Sequence, residues 1–276
     1  MPIAHHGEID LFFEAFGSET DPTLLLVNGL GSQCINYDEQ WCEKFTARGY
    51  RVIRFDNRDT GLSSKLDDHT YTLRDMAGDA LAVLDTVGVE RSHVLGISMG
   101  GMIGQRLAID HGDRLLSLTS VMSRTGEPGY GESSPAALAA MMTKPARTRD
   151  EYVDNEIASR RVYGSKPEWF DEPYLRARAA RAFDRCYCPA GVARQMQAIV
   201  SDGDRAAGLR TLTVPTLVMH GDRDPLIDPS GGRRTAELIP GARYVEIAGM
   251  GHDYPVAVWE RWVETWADFA LSVASP

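Results

Sequence analysis

The sequence predicts an α/β fold, a mostly parallel central sheet flanked by helices and interrupted by an inserted helical cap. Three observations predict it. Short apolar runs alternate with helical patterns as far as residue 122; that alternation breaks at 123 and resumes near 208; and a serine stands between glycines in "GISMGG" at 96–101, where a strand should become a helix.

In chain order, "IDLFFEAFG" alternates like an early antiparallel strand. "TLLLV" at 23–27, "YRVIRF" at 50–55, "HVLGI" at 93–97 and "LLSLTSVM" at 115–122 are short and largely apolar, as buried parallel strands are. Residues 72–88 place Leu73, Met76, Ala80, Val83, Leu84 and Val87 three or four apart, with Asp75, Asp79 and Asp85 between, a helix with one face for the sheet. "SRTGEPGYGESSP" from 123 has the glycine, serine and proline content of a loop. From about 136 to 207 the pattern is helical, most clearly in "YLRARAARAFDRCY", with no convincing β-branched run. The β/α pattern returns with "VPTLVMHGDRD" at 214–224, a helix through "RRTAELI", a strand "ARYVEIAG" and a last helix. There Trp259, Trp262, Trp266, Phe269 and Val273 recur at helical spacing, which reads as core rather than as a ligand surface. The expected division is a core domain over 1–122 and 208–276 and a cap over 123–207.

A net charge of −10 and a pI near 5.2 argue against nucleic acid and anionic membrane as partners. No stretch approaches the roughly 18–20 apolar residues of a membrane span, and "MPIAHHGEID" lacks the basic and apolar regions of a signal peptide. A cytoplasmic monomer or homodimer is expected. Four cysteines are too few for a disulfide scaffold; Cys186 and Cys188 lack the two-residue gap of a metal or redox pair, and Cys34 and Cys42 read as reduced packing residues. No metal or other cofactor is expected.

The serine explains the glycines. Gly-x-Ser-x-Gly at a strand end makes a sharp, strained turn that lifts the hydroxyl of Ser98 into the open at a helix start, where backbone N–H groups can stabilise an oxyanion. The alternative is a glycine-rich helix entry that Ser98 merely caps. A serine nucleophile also needs a base and an orienting carboxylate, and "HGDRDPL" and "AGMGHDYP" supply them at the ends of later strands, in the order Ser98, Asp224, His252.

With "GISMGG", "NGLG", "HGDRDPLIDP" and "GMGH" in place, the chain resembles the α/β-hydrolase superfamily over essentially its full length. "RVIRFDNRDTGLSS" is similar to the aclacinomycin methylesterase-like esterases, with Asp-Thr-Gly where many relatives have Gly-x-Gly. The resemblance implies Ser98 as nucleophile, His252 as base and, by its Gly-x-x-Asp spacing, Asp224 as acid. Asp222 is then left to bond the turn and Asp228 to cap the next helix. Among the other histidines, His93 begins a strand, His111 ends a helix, His220 supports the acid loop, and His5, His6 and His69 carry no motif. The oxyanion hole is expected from the backbone N–H groups of Leu30 and Met99, although this chain has Asn28-Gly29 where His-Gly is usual.

The expected reaction is hydrolysis of a small-molecule carboxylic ester, a methyl ester among the candidates, with the apolar part covered by cap aromatics such as Trp169, Phe170, Tyr174 and Phe183. The cap arginines Arg160, Arg161, Arg176, Arg178, Arg181 and Arg185 could read a carboxylate, though solvated helix faces explain most of them. The rivals are a C–C bond hydrolase of a ring-cleavage product, whose relatives carry tryptophan where Asp253 follows His252, a cofactor-free perhydrolase or haloperoxidase, and a non-catalytic ligand-binding protein. Haloalkane dehalogenases and epoxide hydrolases need an aspartate nucleophile, which Ser98 is not.

Overall fold

The computed structural model describes residues 2–67 and 69–274, so positions 1, 68, 275 and 276 of the expected core segments lie outside it. The apolar runs become the strands β1 (Ile3–His6), β2 (Ile9–Phe16), β3 (Thr23–Val27), β4 (Arg51–Phe55), β5 (Ser92–Ile97), β6 (Leu115–Val121), β7 (Thr216–Gly221) and β8 (Arg243–Ile247). They form one sheet in the order β1-β2-β4-β3-β5-β6-β7-β8, in which β2 pairs antiparallel with β1 and β4 and the remaining pairs are parallel.

β3 shows why such a strand reads as continuously apolar. Its side chains alternate, Leu25 and Val27 entering the core on one face of the sheet while Leu24 and Leu26 enter the core on the other. The first face is covered by α2 (Leu73–Thr86) and α3 (Met99–Asp110), the second by α1 (Glu39–Thr46) and α10 (Trp259–Ala274). α2 starts in a capping box, Thr72 accepting from the Asp75 N–H while the Asp75 carboxylate accepts from the Thr72 N–H. On α10, Trp259, Trp262, Trp266 and Phe269 are all buried in the second core.

From β3 the chain turns outward to β4, then returns past β3 to β5, so the order reverses between β3 and β5. In open α/β sheets the crevice beyond the carboxyl ends of such strands is where ligands bind. The loop at 28–31 leaves β3 there, and Ser98 leaves β5 beside it.

Between β6 and β7 lie α4 (Pro135–Met141), α5 (Arg149–Tyr163), α6 (Glu172–Arg185), α7 (Pro189–Asp202) and α8 (Ala206–Leu209). Position 207, the expected boundary, falls inside α8, and Ala198, Ala206 and Leu209 pack into the first core, so this end of the insertion is rooted in the sheet layer. Three side chains bolt the insertion to the loop after β4. Arg185 pairs with buried Asp56 at 2.7 Å, Arg194 grips Asp59 with two bonds of 2.8 and 2.7 Å, and Gln195 donates to the Arg58 carbonyl and the Thr60 hydroxyl at 2.8 Å each. α9 (Ser230–Leu238) follows β7; Pro229 stands at its N-cap, and Asp228 before it accepts the Ser230 N–H at 2.9 Å. No helix among the described residues is long and apolar enough to cross a membrane.

Candidate active site

Ser98 sits between β5 and α3 with φ 56° and ψ −118°. A non-glycine residue held at positive φ costs about 1–3 kcal/mol, so the surroundings must impose it. They do so through its neighbours: a Cβ on Gly96 would lie 2.1 Å from the Gly100 carbonyl oxygen, and one on Gly100 would lie 2.0 Å from that of Val27. The turn is tied down by Ser98 N–H donating to Val121 O and by Ser123 Oγ donating to Ser98 O. The Ser98 hydroxyl makes no capping bond to α3. Its partner is His252, whose Nε2 is 3.0 Å from Oγ.

His252 Nδ1 lies 2.7 Å from Asp224 Oδ2. Asp224 follows β7, with its other oxygen accepting the N–H groups of Leu226 and Ile227 at 2.9 Å each. Burial would raise its pKa, but the charge of His252 and hydrogen bonds from His220 and His252 outweigh it and hold the carboxyl well below the usual range. An ionised carboxylate can only accept, so Nδ1 of His252 carries the hydrogen and Nε2 is left to accept from Ser98. The same reasoning fixes His220: its Nε2 is 2.8 Å from the Ile227 carbonyl, which can only accept, so that nitrogen donates and also leans on Asp224 at 3.2 Å. Asp222 accepts the Gly249 N–H at 2.7 Å, linking the loops after β7 and β8. His93 is far from this chemistry, buried against Tyr50 and Trp266, and burial lowers its pKa to about 4.

The loop after β3 passes close to the serine, a Cβ on Gly29 falling 3.4 Å from Ser98 Cβ. Among the described residues neither the Leu30 nor the Met99 N–H is taken by an acceptor. Buried Gln195 of α7 accepts the next N–H, that of Gly31, at 2.8 Å. On the other side, the insertion holds the histidine loop: His252 N–H donates to Tyr163 O at 2.7 Å, Lys166 N–H to Gly249 O at 2.8 Å, and Ser165 bonds Asp253 through both its N–H and its hydroxyl.

Ser98 and His252 open into a cavity of about 200 Å³ with a largely apolar wall that includes Met102, Met122, Met196, Ile199, Leu226 and Ile227. The four candidate aromatics of the insertion, Trp169, Phe170, Tyr174 and Phe183, stand outside this cavity. The first three line an adjoining hollow, where Lys166, Arg161 and Arg178 lie over their rings, and Phe183 stacks on Tyr187 at 5.1 Å within the insertion. These helices turn their aromatics onto their own cations and onto one another. Tyr163 is the insertion ring that does reach the site, edge-on to His252 at 6.2 Å. It, Gln195 and Met196 carry no motif; only the three-dimensional return of α5 and α7 to the sheet edge brings them in, whereas Met102 of α3 and Met122 after β6 come with the sheet itself.

Cys34 and Cys42 are buried free thiols whose pKa values burial pushes up, Cys42 to about 12, so they are packing groups rather than nucleophiles.

Comparison with known proteins identifies the family. Residues 22–254 match the alpha/beta hydrolase fold family. The chain is 33% identical to the rhodomycin D methylesterase DnrP of Streptomyces peucetius, over 92% of this chain and 93% of that protein. Among solved structures, the enol-lactonase of Burkholderia xenovorans superposes with a TM-score of 0.78 at 26% identity, covering 98% of this chain and 100% of that one. A meta-cleavage product hydrolase of Pseudomonas fluorescens superposes at 0.81 with 17% identity, covering 99% and 98%, and shares the fold alone. The chain belongs to the alpha/beta hydrolase fold family and is a carboxylic ester hydrolase similar in sequence to the methylesterases.

Proposed function

We propose that this enzyme hydrolyses a carboxylic ester, a methyl ester foremost, of a small molecule with an apolar body, through an acyl-enzyme formed on Ser98. The observation that carries the reading is the continuous relay from Ser98 Oγ to His252 Nε2 at 3.0 Å and from His252 Nδ1 to Asp224 at 2.7 Å.

His252 Nε2 takes the Ser98 proton as Oγ bonds to the acyl carbon. The carbonyl oxygen becomes an oxyanion and accepts from the Leu30 and Met99 N–H groups. Each such donor is worth about 3–4 kcal/mol to the barrier. As the tetrahedral centre collapses, Nε2 returns the proton to the departing alkoxide and the alcohol leaves. Water then attacks the acyl carbon, gives its proton to His252, and Ser98 leaves with it as the acid departs. Asp224 stays ionised throughout, holding the imidazole in one tautomer and stabilising its cation.

The segment 123–207 acts as a cap over the pocket, and the methionine wall suits an apolar body because unbranched thioethers adapt to its shape. A methyl ester is supported by the likeness to DnrP, itself a methylesterase. The reading is of a cytoplasmic monomer or homodimer needing no cofactor, with free thiols and a net charge of −10 in keeping.

The test is hydrolysis of 4-nitrophenyl esters from acetate to decanoate and a methyl-ester panel by the parent and Ser98→Ala, with a fluorophosphonate probe alongside. Turnover and labelling that vanish in Ser98→Ala are expected. A parent that neither turns over any ester nor takes the label sinks the reading.

A further inference from the structure

We propose that Arg160 and Arg178 form an anion subsite in the Ser98 cavity, so that the preferred ester carries a second, carboxylate group. The inference rests on the hydrolytic reading above and names the substrate class of that same site.

Charge is the first observation. The whole chain is at −10, yet the cavity is lined by Arg124, Arg160 and Arg178 against one carboxylate, that of Asp253. Asp253 Oδ1 accepts the Ser165 N–H at 3.0 Å and the Ser165 hydroxyl, tying the histidine loop to the insertion, and its single charge, which also acts on Arg160, is outnumbered. The lining thus inverts the sign of the protein around it, and a low-dielectric pocket of one sign concentrates ligands of the other.

The second observation is what Arg160 lacks. Its Nη1 is 3.4 Å from the His252 carbonyl, its Nη2 is 4.0 Å from Glu156, and its buried Nε has no acceptor. Four other arginines of the insertion are closely held, Arg161 by Glu172 at 2.6 Å, Arg176 by Asp154 and Glu172 at 2.9 Å each, Arg185 by Asp56 at 2.7 Å and Arg194 by Asp59, while Arg124 and the exposed Arg181 share the long contacts of Arg160. A half-buried guanidinium with only long contacts has donors in reserve, and its flat fork matches a carboxylate. Arg178, on α6 across from it, leans on the Tyr174 ring at 5.8 Å. Both arginines line the Ser98 cavity and also the two hollows that adjoin it, so they stand at the junction of all three.

Placement is the third. Arg160 touches the carbonyl of His252 itself, so a carboxylate held there lies a few atoms from the carbonyl under attack. A short diacid half-ester spans that gap, its neutral portion facing the methionine wall. Two fixed points, the oxyanion hole and the guanidinium fork, then orient the ester.

The experiment compares kcat/KM for 4-nitrophenyl monoglutarate with that for 4-nitrophenyl pentanoate in the parent, Arg160→Gln, Arg178→Gln and Arg161→Gln. The parent is expected to favour the anionic ester by about tenfold or more; the ratio falls about tenfold in Arg160→Gln and also drops in Arg178→Gln, but holds in Arg161→Gln. Arg160→Lys, which keeps the charge without the fork, retains part of the preference. A second readout, calorimetric binding of monomethyl glutarate to Ser98→Ala with and without Arg160→Gln, needs no turnover. Hydrolysis of both esters at a ratio near one, unmoved by Arg160→Gln, overturns the subsite and leaves the hydrolytic reading standing. Failure to hydrolyse either ester, with Arg160-dependent binding to Ser98→Ala, does the reverse. Absence of that binding overturns the subsite whatever the kinetics.

Discussion

The sheet edge and the helical insertion meet at one cavity but are built in opposite ways. At the edge, Ser98, Asp224 and His252 come from the ends of β5, β7 and β8, and each is fixed by backbone: a carbonyl holds Ser98 N–H, two N–H groups hold Asp224, and a carbonyl holds His252 N–H. The insertion supplies that last carbonyl, Tyr163 O, but reaches the loops after β3 and β4 through long side chains, Arg185, Arg194 and Gln195. Backbone placement tolerates little change and suits bond-making chemistry, which loses rate steeply with small displacements. Side-chain placement can be rewritten residue by residue, which suits selectivity.

If that contrast is right, the largest single effect belongs to the edge. Asp224→Asn leaves the imidazole without its ionised acceptor and allows the wrong tautomer, while nearly preserving shape. We expect kcat to fall by about 10⁴-fold with KM little changed, measured by steady-state ester hydrolysis. A loss of less than tenfold would mean that His252 is oriented by something else.

How much of this was legible differs between the two regions for the same reason. Strands such as "TLLLV" and the Gly-bracketed serine announce themselves because backbone geometry dictates composition over consecutive residues. The end of the insertion did not, since α8 is one short turn whose burial is tertiary, and β1 is too short and mixed to show a period. Among the site residues, Ser98, Asp224 and His252 were legible as motifs, whereas Tyr163 and Gln195 were not, because a helical residue facing a distant loop leaves no local pattern. The stretch "RVIRFDNRDTGLSS" stands between the two cases. It was distinctive in sequence, and the structure gives its aspartates a use: Asp56 and Asp59 are where Arg185 and Arg194 fasten the insertion to the core.

That fastening supplies the next largest effect. Asp59 has a buried side chain at φ 68°, bonded by Arg194, Tyr71 and the Leu66 N–H. Burial raises its pKa, but the Arg194 bonds and the other donors outweigh that and the net direction is down. Its contribution to stability is therefore full above the unfolded value of about 3.9 and is lost as pH falls through the lower folded value. Asp59→Asn should lower the urea unfolding free energy near pH 7 by about 2–3 kcal/mol, and the difference should shrink on acidification. A difference that is flat from pH 7 to pH 3 would remove the ion pair as its cause.

Gln195 tests whether the insertion also touches the chemistry. It accepts the N–H of Gly31, the residue after the proposed oxyanion donor Leu30, and cannot itself reach a reacting atom except through that loop. Gln195→Met should reduce kcat by about ten- to a hundredfold, less than outright loss of an oxyanion donor, with KM nearly constant. Affinity for a boronate analogue of the tetrahedral state should fall in parallel, a readout that a general loosening of the pocket would not single out. Equal losses for substrate and boronate would assign Gln195 to packing alone.

The smallest effect is expected from Arg176, on α6 two residues from Arg178. Its guanidinium is solvent-facing and shared between Asp154 and Glu172. Exposed pairs gain little because water and salt screen them and two long side chains must be held still. Arg176→Ala should move Tm by less than about 2 °C and leave kcat/KM for neutral and anionic esters alike. The value of this variant lies in the helix it shares: Arg176 and Arg178 have the same chemistry and nearly the same sequence context, and differ in whether a carboxylate of the protein already occupies the fork. A clear change in ester preference on removing Arg176 would show that charge anywhere on α6 steers the substrate, and would dissolve the distinction between a solvated helix face and a cavity wall on which the insertion's part in selectivity depends.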